Sequence, residues 1–376
     1  MQRTILVGLV ASTLTVALGG CAGSDQGASS SNSGAAGNAP STAATSGADL
    51  TGAGSTFAYP LYSKWAADYA AKTGIKINYQ SIGSGGGIRQ FNERTVDFGA
   101  TDGPMSDQEL ASAKGGPVLH VPTALGADVL TYNLAQGTVP LKFTPDIIAD
   151  IFLGKLTKWN DPRIKALNPD AKLPGQDILV VHRSDGSGTT YVWTDYLTTI
   201  SPEWAKGPGR GKEVAWPVGL GGKGNEGVAG QVKQTPGTIG YVELAYAKQN
   251  DLPMAVVKNA SGNFIAPSIA SITAAAAGVS EKLPPNTDYR ISIINAPGAD
   301  AYPISSFTWI LVYQNQLDAT KGKKLVDFLR WGLSDGQGLE PPLDYAPLPA
   351  TMVTQLRARL DSIHIGAGST PAAGAK

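Results

Sequence analysis

Three short loops in this sequence combine glycine with hydroxyl side chains in a way that suits an anion: GAGSTF at 52–57, SIGSGGG at 81–87 and SDGSGTT at 184–190. Each stands before a stretch that reads as a helix. A helix start offers unpaired backbone N–H groups and a partial positive charge, so a negative ligand binds there without a formal cation. Glycine lets the backbone approach, and Ser or Thr adds a hydroxyl donor. Taken singly, each loop is equally an ordinary helix cap. The third differs, because Arg183 stands just before it and Asp185 within it. A guanidinium is a planar fork suited to tetrahedral oxyanions, and a neighbouring carboxylate would hold that fork in place.

Other chemistries fit less well. Ser84 and Ser187 sit in glycine turns that superficially resemble those of hydrolase nucleophiles, yet neither is flanked as G-x-S-x-G. The histidines are His120, His182 and His364. His182 precedes Arg183 on an expected strand, where a packed or surface imidazole is the simpler role. No H-E-x-x-H pattern or paired cysteines point to a metal. GLGGKG at 219–224 formally satisfies G-x-G-x-x-G, with Glu243 at a plausible ribose distance. No strong strand is expected before Gly219, however, and Pro236-Gly237 interrupts the unit, which argues against a dinucleotide site.

The elements that must position these loops alternate between strand and helix, as in an α/β fold. Tyr62, Trp65, Ala66, Tyr69 and Ala70 fall at helical spacing, and the helix is expected to stop near Gly74. Ile75, Ile77 and Tyr79 then alternate as a strand. The order recurs where Ile178–Val181 form a β-branched run, the third loop follows, and Tyr191–Leu197 read as helical.

At 376 residues the chain exceeds the size at which one core usually stops growing, so two packed lobes are expected. Thirty basic and thirty acidic residues cancel, which removes the electrostatic footprint of a nucleic-acid binder. Any anion must therefore be held by local donors. Residues 1–20, with Arg3 and the apolar run Ile5–Leu18, read as a signal peptide too short to span a membrane comfortably. Leu18-Gly19-Gly20-Cys21 resembles a lipoprotein cleavage site, with Cys21 as the lipidated residue. Cys21 is the sole cysteine, so no intramolecular disulfide is expected. Residues 21–48 are mostly Gly, Ser, Ala, Asn and Thr and read as a flexible tether with a reach of about 30 Å. Residues 366–376 read as a frayed tail.

Seven segments in order carry a more specific signal: LTGAGSTF at 50–57, NYQSIGSGGG at 78–87, VDFGATDGPMS at 96–106, HRSDGSGTT at 182–190, GLGGKGNEGV at 219–228, GTIGYVELAYAKQN at 237–250 and DYAPLP at 344–349. Together they resemble the periplasmic phosphate-binding proteins of Pst-type ABC transporters, over nearly everything from Leu50 to about Ile365. The resemblance implies an α/β, two-lobed periplasmic-binding-protein fold of the type II solute-binding (Venus-flytrap) kind. It places residues 49–124 with 302–365 in lobe I and 125–301 in lobe II, with two crossover segments as the hinge. It implies that inorganic phosphate meets Thr56, the backbone N–H of Phe57, Ser84 and Asp102 from lobe I. From lobe II come Arg183, Ser187, Gly188 and Thr189, with Asp185 in support. Ser55 and Gly86 stand where small residues vary, and His182 where another basic residue can occur.

Asp102 bears on specificity. Phosphate near neutral pH keeps at least one proton and sulfate keeps none, so a carboxylate accepts a hydrogen bond from the first and repels the second. The resemblance further implies a monomeric, lipid-anchored receptor on the extracytoplasmic face that serves the permease subunits of an ABC importer. It implies no enzyme activity of the receptor's own, no cofactor and no nucleic-acid partner. A receptor for sulfate or molybdate, or a secreted hydrolase, remains as an alternative at this point.

Overall fold

The computed structural model describes residues 49–134, 140–280, 283 and 287–366. The expected signal peptide, Cys21, the tether and the tail beyond Gly366 lie outside the described residues. Eight strands form one sheet, in the spatial order Ile77–Ser81, Leu50–Gly54, Phe98–Thr101, Ser305–Tyr313, Val118–Tyr132, Thr238–Glu243, Leu179–Arg183 and Leu220–Gly222. The first three are parallel to one another, and so are the last three.

The long strand Val118–Tyr132 joins the two sets. Its residues 118–127 pair antiparallel with Ser305–Tyr313, and Asp128–Tyr132 pair antiparallel with Thr238–Glu243. All but its first residue are buried, as expected for a central strand covered on both faces. The carboxyl ends of the parallel strands in each set therefore point toward the line where this strand changes partners. In open α/β sheets that is where loops gather to bind ligands.

Local sequence explains the elements that carry the loops. The helix Tyr59–Thr73 has Pro60 in its first turn and buries Leu61, Tyr62, Trp65 and Tyr69. It ends at Gly74, as the sequence predicts, because Gly74 adopts the left-handed φ of 76° that side chains resist. The next strand begins at Ile77 rather than Ile75; as an edge strand it alternates half-buried and exposed residues. The helix Gly188–Ile200 starts three residues before Tyr191, because the Ser187 hydroxyl accepts the Thr190 N–H and caps it at once. One continuous hydrophobic cluster runs through both sets of strands. It contains Trp65 against Phe328 and Trp331, and Trp193 stacked on Tyr241. Truncating one such buried aromatic to Ala costs about 3–5 kcal/mol.

The GLGGKG segment differs from its expectation in one respect. Leu220–Gly222 pairs with Leu179–Arg183, so a short strand lies inside the motif and leads into the helix Gly224–Gln234. The dinucleotide reading still fails, because Glu243 is buried and its carboxylate accepts the Ala245 N–H at 2.6 Å as a helix cap.

Candidate functional site

The three glycine loops and the Asp102 turn meet in one place. Seven of the eight expected ligand residues, Thr56, Phe57, Ser84, Asp102, Arg183, Ser187 and Thr189, are each at most 3 % exposed, and Gly188 is buried. Thr56, Phe57, Ser84 and Asp102 arrive from the first three parallel strands, and Arg183 with Ser187–Thr189 from Leu179–Arg183 in the other set. The loops touch directly across this line. The Gly85 N–H donates to the Gly186 carbonyl at 2.8 Å. A Cβ on Gly188 would lie 2.4 Å from Asp102 Oδ2 and 2.5 Å from Ser84 Oγ, and one on Gly83 would lie 2.3 Å from Asp185 Oδ2. Glycine is needed at both positions for the approach.

The first loop is held rigidly by three tyrosines. Tyr79 donates to the Ser55 carbonyl at 2.8 Å, Tyr246 to Thr56 at 2.7 Å and Tyr345 to Phe57 at 2.5 Å. With its carbonyls engaged, the loop turns donors inward: the N–H groups of Phe57, Gly188 and Thr189 have no acceptor among the described residues. Unpaired buried donors are costly, so such a cluster is an anion cradle by its chemistry.

Arg183 ends its strand with its side chain 1 % exposed. Its Nε and Nη2 donate to the two Asp185 oxygens at 2.7 and 2.5 Å, and Nη1 donates to Thr189 Oγ1 at 3.2 Å. Asp185 is fixed in turn by the Gly224 N–H at 3.0 Å. Burial disfavours both charges, yet the bidentate pairing outweighs it: the Asp185 carboxyl is held below the ordinary range. The guanidinium is thus oriented with Nη1 facing the loops.

Asp102 is the other charged wall. Ser55 Oγ donates to its Oδ1 at 2.5 Å and Thr308 Oγ1 donates to the same oxygen at 2.7 Å. Among the described residues Oδ2 accepts only from Ser84 Oγ, at 3.4 Å. Thr308 reaches Asp102 by ordinary antiparallel register, because Trp309 pairs with Thr101 on the neighbouring strand and the residues next to them face each other. Burial pushes the Asp102 carboxyl up to about 6, and the Ser55 and Thr308 hydrogen bonds and the Arg183 charge keep it from rising further. Asp128 and Glu243, cross-strand partners where the long strand changes neighbours, are also fully buried. Burial drives both well above the carboxylate range, so they add little negative charge beside the cradle.

Access runs from the lips of the interface. A groove of about 850 Å³ between Pro104–Glu109 and Tyr191, Arg210–Lys212 and Arg290 lies away from the loops. A narrower space of about 170 Å³, walled by Pro104, Tyr191 and Ser306, reaches Asp102 itself. Lys212 spans the lips, donating to the Pro104 carbonyl at 3.0 Å and to Glu109 at 2.9 Å.

Every expected site residue therefore converges except Cys21, which lies outside the described residues. Sequence reasoning missed three. Ser55, treated as a variable small residue, is a hydrogen-bond donor to Asp102, and so is Thr308. Asn225 donates from Nδ2 to Thr56 Oγ1 at 2.8 Å and to Thr189 Oγ1 at 3.0 Å. Its only advance signal was its place in GLGGKGNEGV. His182 is half-buried and stacks on Trp216 at 4.7 Å, as a packed imidazole. His120 is buried with Nδ1 beside Asp288, and its Nε2 accepts the Met105 N–H. Neither ring reaches Ser84 or Ser187. Among the described residues no group of acids, histidines and cysteines is arranged for a metal, and no helix is long and apolar enough to cross a membrane.

The chain is similar to known proteins in both sequence and fold. Residues 39–335 match the PBP superfamily domain. The chain is 46 % identical over 321 residues to the phosphate-binding protein PstS of Xylella fastidiosa strain 9a5c, covering 85 % of this chain and 86 % of the relative. Against the protein of the same name from Pasteurella multocida it is 45 % identical, covering 82 % and 89 %. Against that of Methanocaldococcus jannaschii it is 39 % identical, covering 89 % and 88 %. In fold it resembles a periplasmic phosphate-binding protein (PfluDING) solved with phosphate, at a TM-score of 0.67 and 21 % identity, covering 85 % of this chain and 96 % of that one. It also resembles the phosphate binding protein of Stenotrophomonas maltophilia, at a TM-score of 0.64 and 21 % identity, covering 83 % and 93 %.

Proposed function

The chain belongs to the PstS family of phosphate-binding proteins, and we propose that it captures inorganic phosphate between two lobes and delivers it to the permease of an ABC importer. The observation that carries this reading is the pairing of opposites in one buried cradle. A guanidinium, N–H groups and hydroxyls face a carboxylate whose Oδ2 has one long contact, from Ser84 Oγ at 3.4 Å, and so retains room for a further donor. A fully ionised tetrahedral anion is repelled by that oxygen, whereas one with a proton donates to it. Micromolar capture needs about 8 kcal/mol, and charge-assisted hydrogen bonds contribute about 1.5–3 kcal/mol each, so the donors present suffice.

The division of the sheet into two sets of parallel strands supports a reading in two lobes. Residues 49–124 with 302–365 form one and 125–301 the other, and phosphate bonded to both favours their closure by differential affinity. The receptor works on the extracytoplasmic face, held by lipid on Cys21 through a tether. The sequence Leu18-Gly19-Gly20-Cys21 supports that anchor. The protein itself performs no catalysis, and ATP hydrolysis belongs to its partner subunits. Calorimetry of phosphate-stripped protein tests the function. One phosphate per chain bound at micromolar or lower concentration, with no turnover of a phosphomonoester, is the expected result. Turnover would favour a hydrolase, and heat from sulfate or molybdate but not phosphate would favour a different receptor.

A further inference from the structure

We infer that Asn225 is a positioning residue that fixes the hydroxyls of Thr56 and Thr189 as hydrogen-bond donors toward the anion. A threonine hydroxyl has one proton and two acceptor lone pairs, and left to itself it rotates to suit its surroundings. At both threonines the lone pairs are already taken. Thr56 Oγ1 accepts from Asn225 Nδ2 at 2.8 Å and from the Asn225 backbone N–H at 3.3 Å. Thr189 Oγ1 accepts from Asn225 Nδ2 at 3.0 Å and from Arg183 Nη1 at 3.2 Å. Neither hydroxyl donates to an acceptor among the described residues, so each holds a buried proton with no partner there.

The amide itself has no orientational freedom. Its Oδ1 accepts the Glu243 N–H at 2.9 Å, which excludes the flipped arrangement, and both Nδ2 protons are spent on the threonines. Asn225 is fully buried and has no donor left for a ligand. It acts through the two hydroxyls, one from each side of the cradle. An anion accepts and does not donate except through its own proton, so two hydroxyls obliged to donate suit it and disfavour a neutral guest that presents donors. This inference rests on the phosphate reading above and adds a residue to it.

Titration of phosphate-stripped protein with inorganic phosphate tests it, using Asn225→Ala, Asn225→Ser and Asn225→Asp alone and Asn225→Ala in a Thr56→Val background. We expect Asn225→Ala and Asn225→Ser to weaken phosphate binding at least tenfold, with ligand-free melting temperatures within a few degrees of the parent. Asn225→Asp should be weaker still, because its carboxylate would draw both hydroxyl protons to itself and add charge. In the Thr56→Val background the loss on Asn225→Ala should shrink at least threefold. Binding by Asn225→Ala within twofold of the parent would overturn the inference. So would an undiminished loss in the Thr56→Val background, which marks a merely structural role. Failure of the parent to bind phosphate would instead overturn the reading beneath it.

Discussion

At the scale of single residues, the proposed function makes Asp102 the residue that sets selectivity. Its Oδ1 is saturated by Ser55 and Thr308, which leaves Oδ2 for a proton brought by the ligand. Burial raises this carboxyl to about 6. A raised acid favours the enclosed state when protonated: that contribution is full below about 4 and is lost as pH rises through about 6. At pH 8 the ligand-free enclosed form therefore carries a desolvated carboxylate, at a cost of roughly 3 kcal/mol, which a proton-bearing anion relieves. Below pH 6 the carboxyl gains a proton of its own to donate, so sulfate affinity should rise at least tenfold between pH 8 and pH 5. Titrations across that range check the trend. Ser55→Ala removes a hydrogen bond that favours the ionised form, and the rise should then begin at higher pH. Arg183→Ala should weaken phosphate binding at least a hundredfold. It should also cost about 3–5 kcal/mol in denaturant unfolding, because Asp185 is left without its partner.

At the scale of elements, the cradle depends on how closely two helix starts approach. Gly188→Ala directs a methyl at Asp102 Oδ2 and Ser84 Oγ from the opposite loop. The methyl would also press on the Asp102 backbone, so this change should abolish tight phosphate binding and lower the ligand-free melting temperature as the two loops are forced apart, as paired calorimetry and thermal melts would show. This element also shows what a sequence reveals. The three loops, Gly74 as a helix end and Arg183 before SDGSGTT were legible because caps, turns and strand ends are local chemistry. Thr308 was not, since it lies 206 residues from Asp102 and meets it only once their two strands pair antiparallel. Asn225 lies 169 residues from Thr56, and its segment drew notice for its glycines and its family resemblance, neither of which marks the asparagine side chain. Ser55 read as a small residue because nothing nearby in sequence tells that its hydroxyl has an acid to serve.

At the scale of the whole molecule, one long strand passes between two sets of parallel strands whose carboxyl ends face each other, so an anion in the proposed site would be bonded from both sides. Lys212 adds a clasp at the lips through Glu109 and Pro104. Glu109→Gln should therefore speed phosphate release severalfold in stopped-flow measurements, with little change in selectivity, since it lies away from the cradle. The central claim is that closure is decided by a proton the guest carries. It is tested most directly by titrating phosphate-stripped wild type and Asp102→Asn with phosphate and with sulfate at pH 8. Wild type should bind phosphate at least a thousandfold more tightly than sulfate, and the Asn variant should narrow that ratio at least a hundredfold. An Asn variant that still ignores sulfate would contradict the account.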